Sequence, residues 1–124
     1  MEKTSWWGEY LSREEIKHLP LQKKGELLRD WMEENYKNIM ALDLPKAGLT
    51  YLPSEIGQLS QLKRLDLKEN QLTALPAEIG QLSKLQELYL NQNQLTSLPA
   101  EIGQLSDLQI LELAENPLKN IAKK

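Results

Sequence analysis

At 124 residues, the chain has room for one domain and a small appendage, which argues against a two-domain enzyme with an interdomain cleft. Its formal net charge of -3 arises from 15 basic and 18 acidic residues, and neither sign forms a long block, so the sequence does not suggest a nucleic-acid-binding protein. The absence of cysteine excludes a disulfide, a thiolate metal site and a cysteine nucleophile.

The first third of the chain predicts two helices. One is expected over residues 13–19 and a second over 21–38, because apolar residues recur at helical spacing in the second and Pro20 separates the two. The apolar stripe of the second helix needs a partner surface. We therefore expect residues 1–38 to form an N-terminal helical cap on whatever follows.

A repeated string occupies the rest of the sequence. The pair Leu-Pro begins at positions 52, 75 and 98, so the period is 75 − 52 = 23 residues in both intervals. A second pattern, L-x-x-L-x-L-x-x-N-x-L, begins at Leu62, Leu85 and Leu108, and a copy with isoleucine first and alanine for asparagine begins at Ile39. A period in this range predicts a solenoid.

This pattern resembles the consensus of the leucine-rich-repeat family. The intervening LPxEIGxL segments resemble the 23-residue subclass found in Ras-suppressor-type and many bacterial proteins, and the helical lead-in is similar to that of bacterial members, including some type III effectors. The resemblance implies an α/β fold, a short solenoid of about 3.5 coils. Its parallel β-sheet would line the concave face, with short helical turns on the convex face and an N-terminal α-helical cap. The predicted units are the cap, 1–38, and the solenoid, 39–124.

The turn after each predicted strand carries an asparagine at positions 70, 93 and 116. An amide side chain both donates and accepts, so a stack of them can satisfy backbone groups that the bends would otherwise leave unpaired. Ala47 stands at this position in the first coil and cannot do so. That departure is expected of an end repeat that meets a cap instead of another coil.

Side chains that alternate with the strand leucines are expected to face outward, because successive strand residues point to opposite faces. They vary from coil to coil, which favours partner recognition, although a solvated strand face would also carry charges. Tyr89 is the strongest candidate for an interface anchor, with cross-strand packing as the alternative. The predicted protein-binding residues are Arg64, Asp66, Lys68, Glu87, Tyr89, Asn91, Ile110 and Glu112.

Catalysis is not predicted. Asp43, Asp66 and Glu112 occupy the same position in different coils, so they would form part of one column that runs across the stacked strands. Carboxylates on adjacent strands of a column would lie about 5 Å apart, a spacing compatible with a retaining glycosidase pair. However, no apolar pocket is expected around them to raise one pKa. The single histidine, His18, has no second ligand beside it. We expect no enzymatic activity, no metal site and no cofactor.

The leading hypothesis is a non-enzymatic module that binds an unidentified protein partner on its concave face. One alternative is the targeting or substrate-recognition part of a bacterial effector. Another is self-assembly into a weak homo-oligomer through the open last coil, with Leu113, Leu118 and Ile121 as the contact.

The sequence shows neither a secretory leader nor a run long enough to span a membrane. We expect a cytoplasmic protein, or one secreted into a host cell without a cleaved signal peptide.

Overall fold

A computed structural model describes Asp30 and residues 39–119 of the chain. Four strands, β1 (Ala41–Asp43), β2 (Arg64–Asp66), β3 (Glu87–Tyr89) and β4 (Ile110–Glu112), alternate with three 3₁₀ helices, Ser54–Gln58, Ala77–Gln81 and Ala100–Gln104. The predicted cap, apart from Asp30, lies outside the described residues, and so does Ile121.

The strands form one parallel sheet in the order β1-β2-β3-β4. Each strand pairs with the next in a register of one repeat, so that Leu42 lies beside Leu65, Leu65 beside Leu88 and Leu88 beside Leu111. This arrangement follows from repetition, because one strand per coil, always running in the same direction, can only stack in parallel. The predicted parallel sheet is confirmed.

The leucines of the repeat form the core, as their alternation predicts. Within β2 the side chain of Leu65 is fully buried, whereas Arg64 and Asp66 on either side of it are partly exposed. Residues from the strands and from the helical side pack into one continuous cluster. Its fully buried members are Ile39, Leu42, Leu44, Ile56, Leu59, Leu62, Leu65, Leu67, Leu72, Ile79, Leu82, Leu85, Leu88, Leu90 and Leu95.

The helical turns opposite the sheet are short. Pro53, Pro76 and Pro99 stand at their N-caps, where the extended backbone has φ of −62°, −72° and −67°. Proline fixes φ near these values, so each turn begins from a preset conformation. The turns are five residues long and 3₁₀ in type. Short helical turns were predicted here, and the α-helical part of the predicted α/β fold falls in the cap, outside the described residues.

The asparagine stack forms as predicted. Asn70 accepts hydrogen bonds from the backbone amides of Ala47 and Leu49, both at 3.0 Å, and donates to the carbonyls of Leu44 and Leu67, both at 2.9 Å. It thus ties its own coil to the preceding one. Asn93 and Asn116 repeat the two donated bonds one and two coils later, and each accepts one backbone amide, from Leu72 and Leu95 respectively. Ala47, which stands at this position in the first coil, contributes no side chain to the stack and donates its backbone amide to Asn70.

Glycines on the helical side allow the coils to pack closely. A Cβ added at Gly57 would lie 2.9 Å from the backbone oxygen of Glu78, and one added at Gly80 would lie 2.7 Å from that of Glu101. Such distances are too short for a carbon atom. Gly103 has no atom within 4 Å of the same point, because no further coil follows in the described part of the chain.

Candidate binding face

The outward side chains of the four strands, with the residues just after them, form one continuous surface, which we call the exposed sheet face. Pairing places Arg64 between Ala41 and Glu87, and Asp66 between Asp43 and Tyr89. The strands therefore bring together the residues predicted to bind a partner. The exposed sheet face consists of Asp43, Arg64, Asp66, Lys68, Glu87, Tyr89, Asn91, Ile110 and Glu112, whereas Ala41 in the same column as Arg64 is buried.

Arg64 and Asp43 form a two-point ion pair across β1 and β2. Arg64 Nε donates to Asp43 Oδ1 at 3.1 Å and Nη2 donates to Oδ2 at 2.7 Å. Their side chains are 40% and 35% exposed. A pair this accessible contributes little to stability, typically about 0–1 kcal/mol. Its effect is to fix the direction in which the guanidinium and the carboxylate point.

Lys68 connects the second strand to the third. Its Nζ lies 3.6 Å from Asp66 Oδ2 and 5.5 Å from the centre of the Tyr89 ring. The second distance is within the range of a cation–π contact. Since Asp66 Oδ1 also accepts the backbone amide of Lys68 at 3.1 Å, the carboxylate holds both ends of that residue. Lys68 is therefore positioned against one face of the aromatic ring.

Tyr89 is held by its neighbour on the same strand. Its hydroxyl donates to Glu87 Oε1 at 2.7 Å. This hydrogen bond raises the pKa of Tyr89 above its usual value, since an ionised phenolate could not donate it; desolvation and the charges of Glu87 and Glu112 act in the same direction, and Arg64 opposes them. The ring is thus kept as a neutral hydrogen-bond donor with a fixed orientation.

The far end of the face carries two further carboxylates. Glu112 accepts from Asn91 Nδ2 at 3.1 Å, and Glu115 in the following turn accepts from Gln92 Nε2 at 2.8 Å. Donation to Glu112 fixes the amide of Asn91, whose Oδ1 is buried without a hydrogen-bond partner in the described region. These two bonds link the third coil to the fourth on the solvent side.

Apolar surface begins beside these carboxylates. Ile110 on the exposed sheet face and Leu111 at the open edge are 39% and 38% exposed. The equivalent leucines of the inner coils, Leu65 and Leu88, are fully buried by the coil that follows them. Within residues 39–119, the fourth coil therefore combines a charged strand face with a partly exposed apolar edge.

The carboxylates of the exposed sheet face are engaged by other side chains of the chain. Asp43 and Asp66 do lie in adjacent strands, as predicted, but each is paired with a cation, and Glu87 and Glu112 each accept from a neutral side chain. Residues 39–119 contain no group of three or more histidine, cysteine, aspartate or glutamate residues placed to hold a metal ion. No helix among them is long and apolar enough to cross a membrane.

Two features of the site were missed at the sequence level. The first is the ion pair between Arg64 and Asp43. The repeat pattern could have indicated it, because the two residues occupy neighbouring columns on adjacent strands. The second is the row of polar residues just before each asparagine position, all with left-handed backbone: Lys46, Glu69, Gln92 and Glu115, with φ from 57° to 62°. Their constant place in the period was the available signal.

Comparison with known proteins agrees with this geometry. The family model described as a leucine-rich repeat region matches residues 34–124, which is most of the chain. The chain belongs to the leucine-rich-repeat family. No curated protein sequence matches it.

Several solved structures share the leucine-rich-repeat fold. One is a leucine-rich-repeat protein from Leptospira interrogans, with 52% identity and a TM-score of 0.65, covering 66% of this chain and 21% of that protein. Another is the ectodomain of the Arabidopsis thaliana receptor kinase GASSHO1/SCHENGEN3 in complex with CASPARIAN STRIP INTEGRITY FACTOR 2, with 36% identity, a TM-score of 0.62, and coverage of 68% and 10%. A third is the BIR3–SERK2 complex from the same plant, with 33% identity, a TM-score of 0.59, and coverage of 68% and 47%.

The leucine-rich repeats of this chain thus correspond to a part of each of these proteins. The matched segment spans about a fifth of the Leptospira protein and about a tenth of the GASSHO1/SCHENGEN3 ectodomain.

Proposed function

We propose that this chain is a non-enzymatic interaction module that binds a protein partner on the exposed sheet face, and that this face is the concave side of the stack. The observation that carries the proposal is the separation of roles along each strand. Leu65 and Leu88 are fully buried and constant, whereas the residues beside them face outward and change from coil to coil. The core does not need that variation, and recognition of a partner would use it.

The structural neighbours support protein binding as the general role. The GASSHO1/SCHENGEN3 ectodomain was solved in complex with CASPARIAN STRIP INTEGRITY FACTOR 2, and BIR3 in complex with SERK2. We place the contact on the eight residues predicted from the sequence, with Tyr89 as the anchor. Its ring is large, amphipathic and already fixed by Glu87, so little conformational entropy would be lost on binding.

The test is a pull-down from a lysate of the source cells, using the wild-type chain and the double variant Tyr89→Ala/Arg64→Ala. The double variant should lose most of the captured partner while its melting temperature changes little, because both side chains are solvent-accessible. The matched control is Tyr51→Ala/Lys84→Ala, which also removes one tyrosine and one cation, both exposed and both outside the strands. If both double variants retain the partner equally, the binding surface lies elsewhere.

Self-association through the open last coil is a second candidate, favoured by the exposure of Leu111 and the open space at Gly103. Of the contact residues predicted for it, Leu113 and Leu118 are half-buried on this edge. Gly103→Arg would fill the space without disturbing the fold and should abolish any dimer. Sedimentation velocity at high protein concentration measures this, and a wild-type chain that stays monomeric would rule the candidate out.

We also assign the chain to the 23-residue LPxEIGxL subclass, because that segment recurs at the prolines that begin each 3₁₀ helix. The role as the targeting part of a bacterial effector, and the cytoplasmic or host-cell location, stay predictions from the sequence.

A further inference from the structure

The exposed sheet face is divided into two halves that differ in charge pairing. In the half formed by β1 and β2, each carboxylate has its own cation. Asp43 lies 2.7 Å from Arg64, and Asp66 lies 3.6 Å from Lys68. The chain therefore already balances the charge of this half.

In the half formed by β3 and β4, the carboxylates have neutral donors only, as far as the described residues show. Glu87 accepts from a tyrosine hydroxyl, Glu112 from the amide of Asn91, and Glu115 in the adjoining turn from the amide of Gln92. Neutral donors orient a carboxylate but leave its negative charge uncompensated. The raised pKa of Tyr89 has the same origin in part, since Glu87 and Glu112 both contribute to it.

The uncompensated half also carries the apolar surface of the face. Ile110 pairs in register with Glu87 and is 39% exposed. The Tyr89 ring stands in the neighbouring column and already has the ammonium group of Lys68 at 5.5 Å from its centre. This ring therefore lies in an environment that accepts cations. Carboxylates, an aromatic ring and an aliphatic side chain occur together on two adjacent strands.

We propose that the partner contributes an extended segment in which arginine side chains flank an apolar one, and that this segment binds across β3 and β4. A guanidinium group can pair with Glu112 or Glu87 at two points and stack on the Tyr89 ring, whereas an ammonium group cannot make the planar two-point contact. The apolar residue between the arginines would cover Ile110. This inference rests on the proposed protein-binding function and adds the chemical class of the partner.

The test begins with a random dodecapeptide display library selected on the wild-type chain and counter-selected on the Tyr89→Ala variant. Enrichment of arginine next to an apolar residue is the expected result. Peptides that depend on Tyr89 but show no arginine enrichment would overturn the inference and leave the proposed function in place. A library that yields no Tyr89-dependent peptide would overturn both.

Binding of one selected peptide then measures the role of charge. Glu112→Gln and Glu87→Gln should each raise the Kd about threefold and together about tenfold, because glutamine keeps the hydrogen-bond acceptor and removes only the charge. Replacing the peptide's arginines with citrulline, which has the same shape without the charge, should weaken binding to the wild type and have little further effect on the double variant.

The matched control is Glu78→Gln on the helical side of the coil, which makes the same chemical change away from the sheet. It should leave the Kd unchanged. Equal effects of Glu78→Gln and Glu112→Gln would show that only the net charge of the protein matters, and would overturn the assignment to this half of the face.

Discussion

The asparagines of the stack differ in how far solvent can replace their hydrogen bonds. Asn93 is 2% exposed, accepts from the amide of Leu72 and donates to the carbonyls of Leu67 and Leu90. Asn116 makes the equivalent bonds at the open end of the array but is only half-buried. The two side chains thus have the same chemistry in different surroundings.

This difference predicts unequal effects of the same substitution. Asn93→Ala should lower the free energy of unfolding by about 3 kcal/mol or more, because each buried backbone group left unpaired costs about 1–3 kcal/mol. Asn116→Ala should cost about 1 kcal/mol, since water can reach the groups that it leaves. Urea denaturation of both variants measures the contrast. Equal losses would mean that burial does not set the strength of the stack.

Among the elements, the 3₁₀ helices depend on the coil that follows each of them. Gly80 in the second helix faces the backbone oxygen of Glu101 and the side-chain oxygen of Gln104, each 2.7 Å from where a Cβ would stand. Gly103 in the third helix faces open space. Neither glycine has a positive φ, so packing alone distinguishes them.

Alanine at these two sites should therefore act in opposite directions. Gly80→Ala should destabilise the protein by about 1–3 kcal/mol, the usual cost of overpacking, because the Glu101 backbone has to move. Gly103→Ala should stabilise it by about 0.4–1 kcal/mol, since alanine restricts the unfolded chain and meets no atom in the folded one. Thermal unfolding followed by circular dichroism provides the comparison. A loss of stability in Gly103→Ala would show that another segment occupies that space.

How far the sequence predicts each element depends on whether its cause is local or lies in the neighbouring coil. The strands could be predicted because the alternation around Leu65 decides which side chains are buried, and the asparagine stack could be predicted because an amide offers both a donor and an acceptor. The need for glycine at position 80 could not, because it arises from the distance to the next coil. In the same way, the columns placed Tyr89 on the exposed face, but its bond to Glu87 depends on side-chain conformation.

For the whole molecule, stability depends on how many coils have a neighbour on both sides. Leu88 in the third coil is fully buried, whereas its equivalent in the fourth, Leu111, is 38% exposed. In a solenoid, each added inner coil contributes its own interfaces and moves the exposed edge outward without enlarging it. A longer array of the same coils should therefore be more stable.

Duplicating residues 75–97 in tandem tests this directly. In the natural chain Ser97 is followed by Leu98-Pro99, and in the lengthened chain Ser97 of the first copy is followed by the Leu-Pro pair that begins the second copy, so the junction keeps the natural sequence pattern. The lengthened protein should have a higher melting temperature, by roughly 2–4 °C for each kcal/mol of net gain. Its urea m-value should also increase, because more surface is exposed when it unfolds. The control carries Leu88→Asp in the inserted copy only, which keeps the added length and removes the packing. If both lengthened proteins melt like the natural chain, the inserted coil has not joined the stack, and coil-by-coil packing does not explain the stability of this fold.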